Sequence, residues 1–280
     1  MQKITDIYLK LQSGIIKKTP LIYNQRLSEK YDCNIFLKRE DLQPIRSFKL
    51  RGAYAKMVNL SIDKKKNGVV CASAGNHAQG VIYSGEKLGI YCDVFVPNNT
   101  PQQKLQRMRS LSKTYSRIHV TGENLEETMN ISHQFCTTYD KSYVHPFDDI
   151  DVICGQATIS VEIHEKLKPD VIVGCVGGGG LLAGLSLHTQ VANANCRVIG
   201  AEPLGSSSMS FAFLHNKPKR LDTCDNFVDG AAVRTVGKLP FDICKNNGTK
   251  IVQVPEGLIC LNMLNLYEID GIITEPAGAL

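Results

Sequence analysis

The chain has 280 residues, 43% of them hydrophobic and 21% charged, with a net charge of +5. This is ordinary globular composition, long enough for one large domain or two smaller ones. Its lysines and arginines are scattered apart from short clusters such as Lys64–Lys66, which argues against a nucleic-acid face, and no apolar run reaches the roughly 18 residues of a membrane span.

In chain order, "MQKITDIYLKLQ" is amphipathic and charged throughout, unlike a signal peptide. Ten cysteines are spread singly from Cys33 to Cys260 with no C-x-x-C pair. That spacing argues against zinc and reads as buried thiols in a reducing cytosol. "CNIFLKRE" (33–40) reads as a strand. "SFKLRGAYAKM" (47–57) opens like a helix capped by Ser47, with Phe48, Leu50, Ala53, Tyr54 and Met57 at apolar spacing. "GVVCASA" (68–74) reads as a strand leading into a helix from about Asn76 to Leu88, and "YCDVFVP" (91–97) as a strand before the helical "TPQQKLQRMRSL". "SRIHVTG" (116–122) precedes the helical "NLEETMNISHQFCTTY". "FDDIDVICGQAT" (147–158) reads as a loop and a crossover between two lobes, one formed by 1–54 with 148–280 and a smaller one by 55–147. "DVIVGCVGGGG" (170–180) is a β-branched run into glycines before "LLAGLSLHTQVA", and "CRVIGAEP" (196–203) is another strand. Strands that are apolar throughout and alternate with helices indicate an α/β fold whose parallel sheets are covered on both faces.

Ligands in such sheets bind beyond the carboxyl ends of the strands. Three loops qualify. In the first, Lys49 falls in the opening turn of its helix, where the helix dipole disfavours a cation at a cost of roughly 0.3–1 kcal/mol. The placement makes sense if Lys49 is held as a neutral amine, a nucleophile toward an aldehyde; the alternative is a snorkelling surface lysine. In the second, "SAGNHAQG" (73–80), Asn76 offers groups to a ring substituent and the backbone of Ser73, Ala74, Gly75 and Asn76 can hold a carboxylate, while His77 reads as a capping or packing residue. In the third, Gly177, Gly178, Gly179 and Gly180 allow backbone amides to crowd onto an anion at a helix N-terminus. Phosphate, a plain turn and a dinucleotide all remain open for that loop taken alone, because Gly178-x-Gly180-x-x-Ala183 with Glu202 fits a loose NAD fingerprint. Together the loops supply an amine, a polar turn and a phosphate cradle, which match the aldehyde, ring hydroxyl and phosphate of pyridoxal 5′-phosphate. The dinucleotide reading leaves Lys49 and the Asn76 loop unexplained.

With these motifs in hand, "KKTPL" (17–21), "FLKREDLQPIRSFKLRGAY" (36–54), "SAGNHAQG", "GGGGL" (177–181), "AEPLGSSSM" (201–209), "FVDGAAV" (227–233) and "EPAGAL" (275–280) resemble fold-type II pyridoxal-phosphate enzymes, and among them the threonine dehydratase catalytic domain. The resemblance implies two lobes with open, mostly parallel twisted sheets flanked by helices, as in the tryptophan synthase β chain. It implies Lys49 as the Schiff-base lysine, Phe48 packed beside the cofactor, Asn76 on the ring hydroxyl, Gly177 to Gly180 with Leu181 on the phosphate, and Glu275 near the ring. Ser73 to Asn76 would take the substrate carboxylate. The implied reaction is β-elimination from threonine, or serine, to a 2-oxo acid and ammonia, in a cytoplasmic homo-oligomer, dimer or tetramer, of isoleucine biosynthesis.

Ala74 stands where racemases of this fold carry a second serine, so elimination is expected over racemisation. Serines after Glu202 stand where their metal site would have an aspartate; no divalent metal is expected, and a monovalent cation stays open. The chain ends within "EPAGAL", without the "SGGN"-like turn that bonds the pyridine nitrogen in the family. Weaker cofactor binding, or an inactive truncated remnant, is the expectation that follows from that ending.

Overall fold

A computed structural model describes residues 1–12 and 14–280. The elements are, in order, α1 (Gln2–Leu11), β1 (Leu21–Tyr23), α2 (Gln25–Tyr31), β2 (Phe36–Lys38), α3 (Lys49–Val58), α4 (Ile62–Asn67), β3 (Val69–Ala72), α5 (Asn76–Leu88), β4 (Cys92–Val96), α6 (Gln102–Leu111), β5 (Ser116–Val120) and α7 (Leu125–Thr138). There follow β6 (Ser142–Tyr143), α8 (Ile150–His164), β7 (Val171–Cys175), α9 (Gly180–Ala192), β8 (Arg197–Pro203), α10 (Ser208–His215), α11 (Lys238–Asn246), β9 (Lys250–Val254) and α12 (Glu256–Glu268). Strands β5-β4-β3-β6 form one all-parallel sheet and β7-β8-β9 a second; β1 and β2 pair antiparallel as a short ribbon.

The expected strands all form, with shorter bounds. Every residue of β3 and β4 is buried, as two-sided cover demands. The second sheet departs from this: Val173 and Val252 lie on one face of it and are exposed, because the described chain leaves part of that face uncovered.

One expectation fails outright. The segment 147–158 is not a loop: from Ile150 it is the helix α8, which runs to His164. Asp149 makes its N-cap, accepting from the amides of Asp151 and Val152, so a helix starts inside the segment read as a loop. Ser47 also differs from its expected role. The N-cap of α3 is Phe48, without a side-chain cap, and Ser47 Oγ accepts from Lys49 N at 3.3 Å.

Helices α3 and α8 link the cores. Ala53 and Met57 of α3 join Val69, Ile82, Val94 and Met108 around the four-stranded sheet. Leu50, Tyr54 and Ala55 of α3 pack with Ile4, Ile7 and Leu11 of α1 and with Cys154 and Ala157 of α8. Ile153 of α8 reaches the core of the second sheet with Val176, Leu182 and Phe241. A lysine at the first position of α3 is therefore carried by a helix that two core clusters share. Of the ten cysteines, all free, Cys71, Cys92, Cys136, Cys154, Cys196 and Cys244 are buried as expected; Cys175 and Cys224 are half-buried, and Cys33 and Cys260 are exposed, contrary to the buried-thiol reading. No helix among the described residues is long and apolar enough to cross a membrane.

Candidate active site

The three loops singled out above converge on one cavity of about 970 Å³. Its lining includes Phe48 and Lys49, then Ser73, Ala74, Gly75 and Asn76, then Gly177 to Gly180 with Leu181, and Glu275. All of the expected site residues are thus brought together.

Lys49 Nζ donates to the carbonyl of Pro146 at 2.9 Å and stands 5.6 Å from the centre of the Phe48 ring. Burial lowers its pKa from 10.5 to about 8, only partly offset by Cys175 and Glu275. Near pH 7 about a tenth of such amines are neutral, against a few per ten thousand for an ordinary lysine. The helix dipole at the opening turn and the burial act in one direction.

The tetraglycine turn ends β7 and starts α9, whose N-cap Gly179 lies in the left-handed region at φ +91 with no side-chain cap. The amides of the first turn are therefore free to meet an anion. A Cβ on Gly178 would fall 2.1 Å from the Phe147 ring, and one on Gly180 would fall 2.9 Å from Phe147 Cβ. Only glycine lets backbone and ring share this space. The turn at Ser73–Asn76 differs. A Cβ at Gly75 would meet nothing within 4 Å, and Ser73 Oγ accepts from Gly75 N at 3.2 Å.

Asn76 Nδ2 donates to both oxygens of Glu275, at 2.8 and 3.0 Å. This contact joins α5 to the C-terminal segment, and desolvation raises the Glu275 carboxyl above its usual range. His77 is the packing residue expected: it is buried, and its Nε2–H donates to Val144 O at 2.7 Å. Burial, with help from Lys49, pushes its pKa down to about 3, so it is neutral. Glu202 does not line the cavity. Its carboxylate accepts from Met209 N and Ser210 N at the start of α10, so it is unavailable to a ribose, and the dinucleotide reading loses its acidic residue.

Sequence reasoning missed the segment His145–Asp148. His145 Nδ1 accepts from Phe147 N and Asp148 N, at 3.3 and 2.7 Å; Phe147 lies over the glycine turn; and Asp148 accepts from Lys238 N and Leu239 N at the start of α11. The same strand-end rule points to it, since it follows β6, but a two-residue strand leaves little periodicity to read. Also missed were two ion pairs among residues lining the cavity, Lys104 with Asp229 and Arg220 with Glu126, the latter at 2.9 Å.

The donor set fits a group that carries an aldehyde and a phosphate: a depressed amine at one place and a glycine-lined, uncapped helix start at another, in one cavity. Comparisons with known proteins agree. The family model described as pyridoxal-phosphate dependent enzyme matches residues 12–280. The biosynthetic L-threonine dehydratase IlvA of Bacillus subtilis is 44% identical over 268 residues, covering 95% of this chain and 64% of that protein. Its counterpart from Halalkalibacterium halodurans is 41% identical over 282 residues, covering 99% of this chain and 68% of that one. The chain thus spans about two thirds of the length of these relatives. Among solved structures, the processed form of threonine deaminase isoform 2 from Solanum lycopersicum superposes with a TM-score of 0.93 at 35% identity, over 99% of this chain and 80% of that one. Serine racemase from Dictyostelium discoideum gives 0.91 at 32%, over 99% and 88%.

Proposed function

Because the chain belongs to the pyridoxal-phosphate dependent enzymes, we propose that it is a threonine dehydratase, releasing ammonia and 2-oxobutanoate from L-threonine and acting also on L-serine. The observation that carries this reading is the depressed amine of Lys49 in the same cavity as the tetraglycine turn. When bound, pyridoxal phosphate supplies an electrophilic carbonyl and an electron sink for a carbanion.

The remaining tasks fall to the chain. Gly177 to Leu181 would hold the phosphate through backbone amides at the start of α9. Lys49 Nζ is the amine that would hold the cofactor's aldehyde, and as a neutral amine it would accept the Cα proton of the substrate; a pKa of about 8 suits a base near neutral pH. The Ser73–Asn76 turn takes the substrate carboxylate on its backbone, in the open space that Gly75 leaves. Phe48 would pack against the cofactor, and Asn76, hydrogen-bonded to Glu275, would offer it polar groups from the cavity wall. Ala74 lines the cavity and offers no proton donor at that position, which favours elimination over racemisation.

The smaller lobe is residues 55–147, which hold the whole four-stranded parallel sheet, and the larger is 1–54 with 148–280, which hold β7-β8-β9; α3 runs across the seam. The word biosynthetic in the relatives' names supports a place in isoleucine synthesis. The free cysteines support a cytoplasmic setting, and the exposed row Leu258, Leu261, Leu264 and Tyr267 on α12 supports a homo-oligomer, dimer or tetramer. Ammonia and 2-oxo acid release from L-threonine and L-serine, with and without added pyridoxal phosphate, tests the activity. Cofactor-dependent release from threonine is expected; its absence from the loaded protein would overturn the reading. Sedimentation of the purified chain tests the assembly.

A further inference from the structure

Two residues beyond Lys49, the structure buries a charge completely. The Arg51 side chain is 0% exposed. Its Nε and Nη2 donate to the two oxygens of Glu40, both at 2.8 Å. Its Nη1 and Nη2 donate to the two oxygens of Glu162 at 2.6 and 2.9 Å, and Nη1 also reaches Thr158 Oγ1 at 3.1 Å. Lys38 Nζ donates to Glu162 at 2.5 Å and to Thr19 O at 2.6 Å. Two cations and two carboxylates balance. Burial pulls the Arg51 guanidinium down, and Glu40 and Glu162 outweigh it, so Arg51 stays charged.

Stability does not account for such a cluster. Desolvating four charges consumes most of their attraction, and apolar side chains of similar volume often serve as well. What a doubly forked arginine provides is geometry, because two bidentate pairs fix distance and rotation together. Here they fix α3 to three pieces of chain. Glu40 lies in the turn that leads from β2 toward Lys49, Lys38 lies on β2, and Thr158 and Glu162 lie on α8. Lateral packing brings the helices close: Gly155 of α8 sits against the carbonyl of Arg51, Gly80 of α5 against that of Lys49, and Val152 and Gln156 of α8 press on Gly52. The forked pairs add a directional tie to that packing at one buried point. At the start of α3, Ser47 Oγ accepts from the amide of Lys49, and the amine of Lys49 donates to Pro146 O. Where that amine stands is inherited from the helix behind it.

We propose that the buried cluster of Arg51, Glu40, Glu162 and Lys38 is the positioning device for Lys49, locking the rotation and height of α3 so that the amine stays inside the cavity. The proposal rests on Lys49 as the reactive amine, and its test is read without turnover. Ionisation of Lys49 is followed in the cofactor-free chain by the pH dependence of reductive labelling with formaldehyde, mapped by peptide mass, in Arg51→Met, Arg51→Lys, Glu162→Gln and a control, Arg26→Met. The control breaks the Arg26 pair with Asp270 instead.

In the wild type and the control, Lys49 is expected to titrate near 8. Arg51→Met and Glu162→Gln are expected to titrate at least about one unit higher, as the amine swings toward water. Arg51→Lys keeps the charge without the forks and is expected to follow Arg51→Met. In the loaded enzyme the same variants lose about tenfold or more in kcat, with KM for threonine changed less than about threefold. Should Arg51→Met fail to fold, Glu162→Gln, which keeps the Glu40 fork, carries the test. Variants that melt earlier yet leave Lys49 titrating near 8 would show a merely structural cluster and overturn the proposal, as would a wild-type profile in Arg51→Lys. A wild type that releases no ammonia would instead defeat the functional reading and leave the labelling result standing.

Discussion

The two turns that close on the cavity are built in opposite ways. Both follow a parallel strand and open a helix. At Gly177–Gly180 the protein itself fills the space: Phe147 presses on Gly178 and Gly180, and Ala231 on Gly177, so that only backbone is left to face a ligand. At Ser73–Asn76 the space is empty; Gly75 has no neighbour for a Cβ to meet. The crowded turn is a preformed cradle, suited to a group that stays. The open turn leaves room for a group that comes and goes. Lys49 stands between these two demands, on a helix tied to both cores.

Substitutions sharpen or break this contrast. The largest effect is expected for Lys49→Ala: turnover should fall on the order of a thousandfold or more, while cofactor binding, followed by fluorescence quenching, weakens far less because the cradle is intact. Next is Gly178→Ala. Its Cβ would fall 2.1 Å from the Phe147 ring, so a loss of about 1–3 kcal/mol is expected in denaturant titrations, with a large loss of cofactor affinity. Gly75→Ala should leave stability within about 0.5 kcal/mol and instead raise KM for threonine, since the methyl occupies the substrate's room. If Gly75→Ala melts as early as Gly178→Ala, the contrast between the turns is wrong.

A smaller effect belongs to pH. His77, behind the open turn, has a folded pKa of about 3, below its ordinary 6.5. The unfolded chain therefore binds the proton first, and stability present above pH 6.5 is lost as pH falls through that window. The melting temperature should decline from pH 6.5 downward, and His77→Gln should flatten that decline. An unchanged acid limb in the variant would remove His77 from the account.

Much of this was legible because the signals were local. β-branched runs ending in glycine marked the strand ends, and a lysine in a first helical turn marked itself by being misplaced. What was not legible depended on tertiary pairing. Asp149 looks like a loop residue until the apolar run behind it is seen to be helical, continuing to His164. Glu202 stands at the spacing of a ribose ligand, yet its carboxylate is spent on the start of α10. Phe147 carries no chemical signal in sequence; its role over the glycines follows from where β6 delivers it. The partnership of Arg51 with Glu162 spans 111 positions and has no sequence pattern at all.

The central claim concerns one nitrogen. Loading the chain with pyridoxal phosphate, reducing it with borohydride and mapping the product by mass spectrometry tests it directly. One pyridoxyl group is expected, on the peptide containing Lys49, and none in Lys49→Ala. Label spread over surface lysines, or undiminished label in that variant, would contradict it.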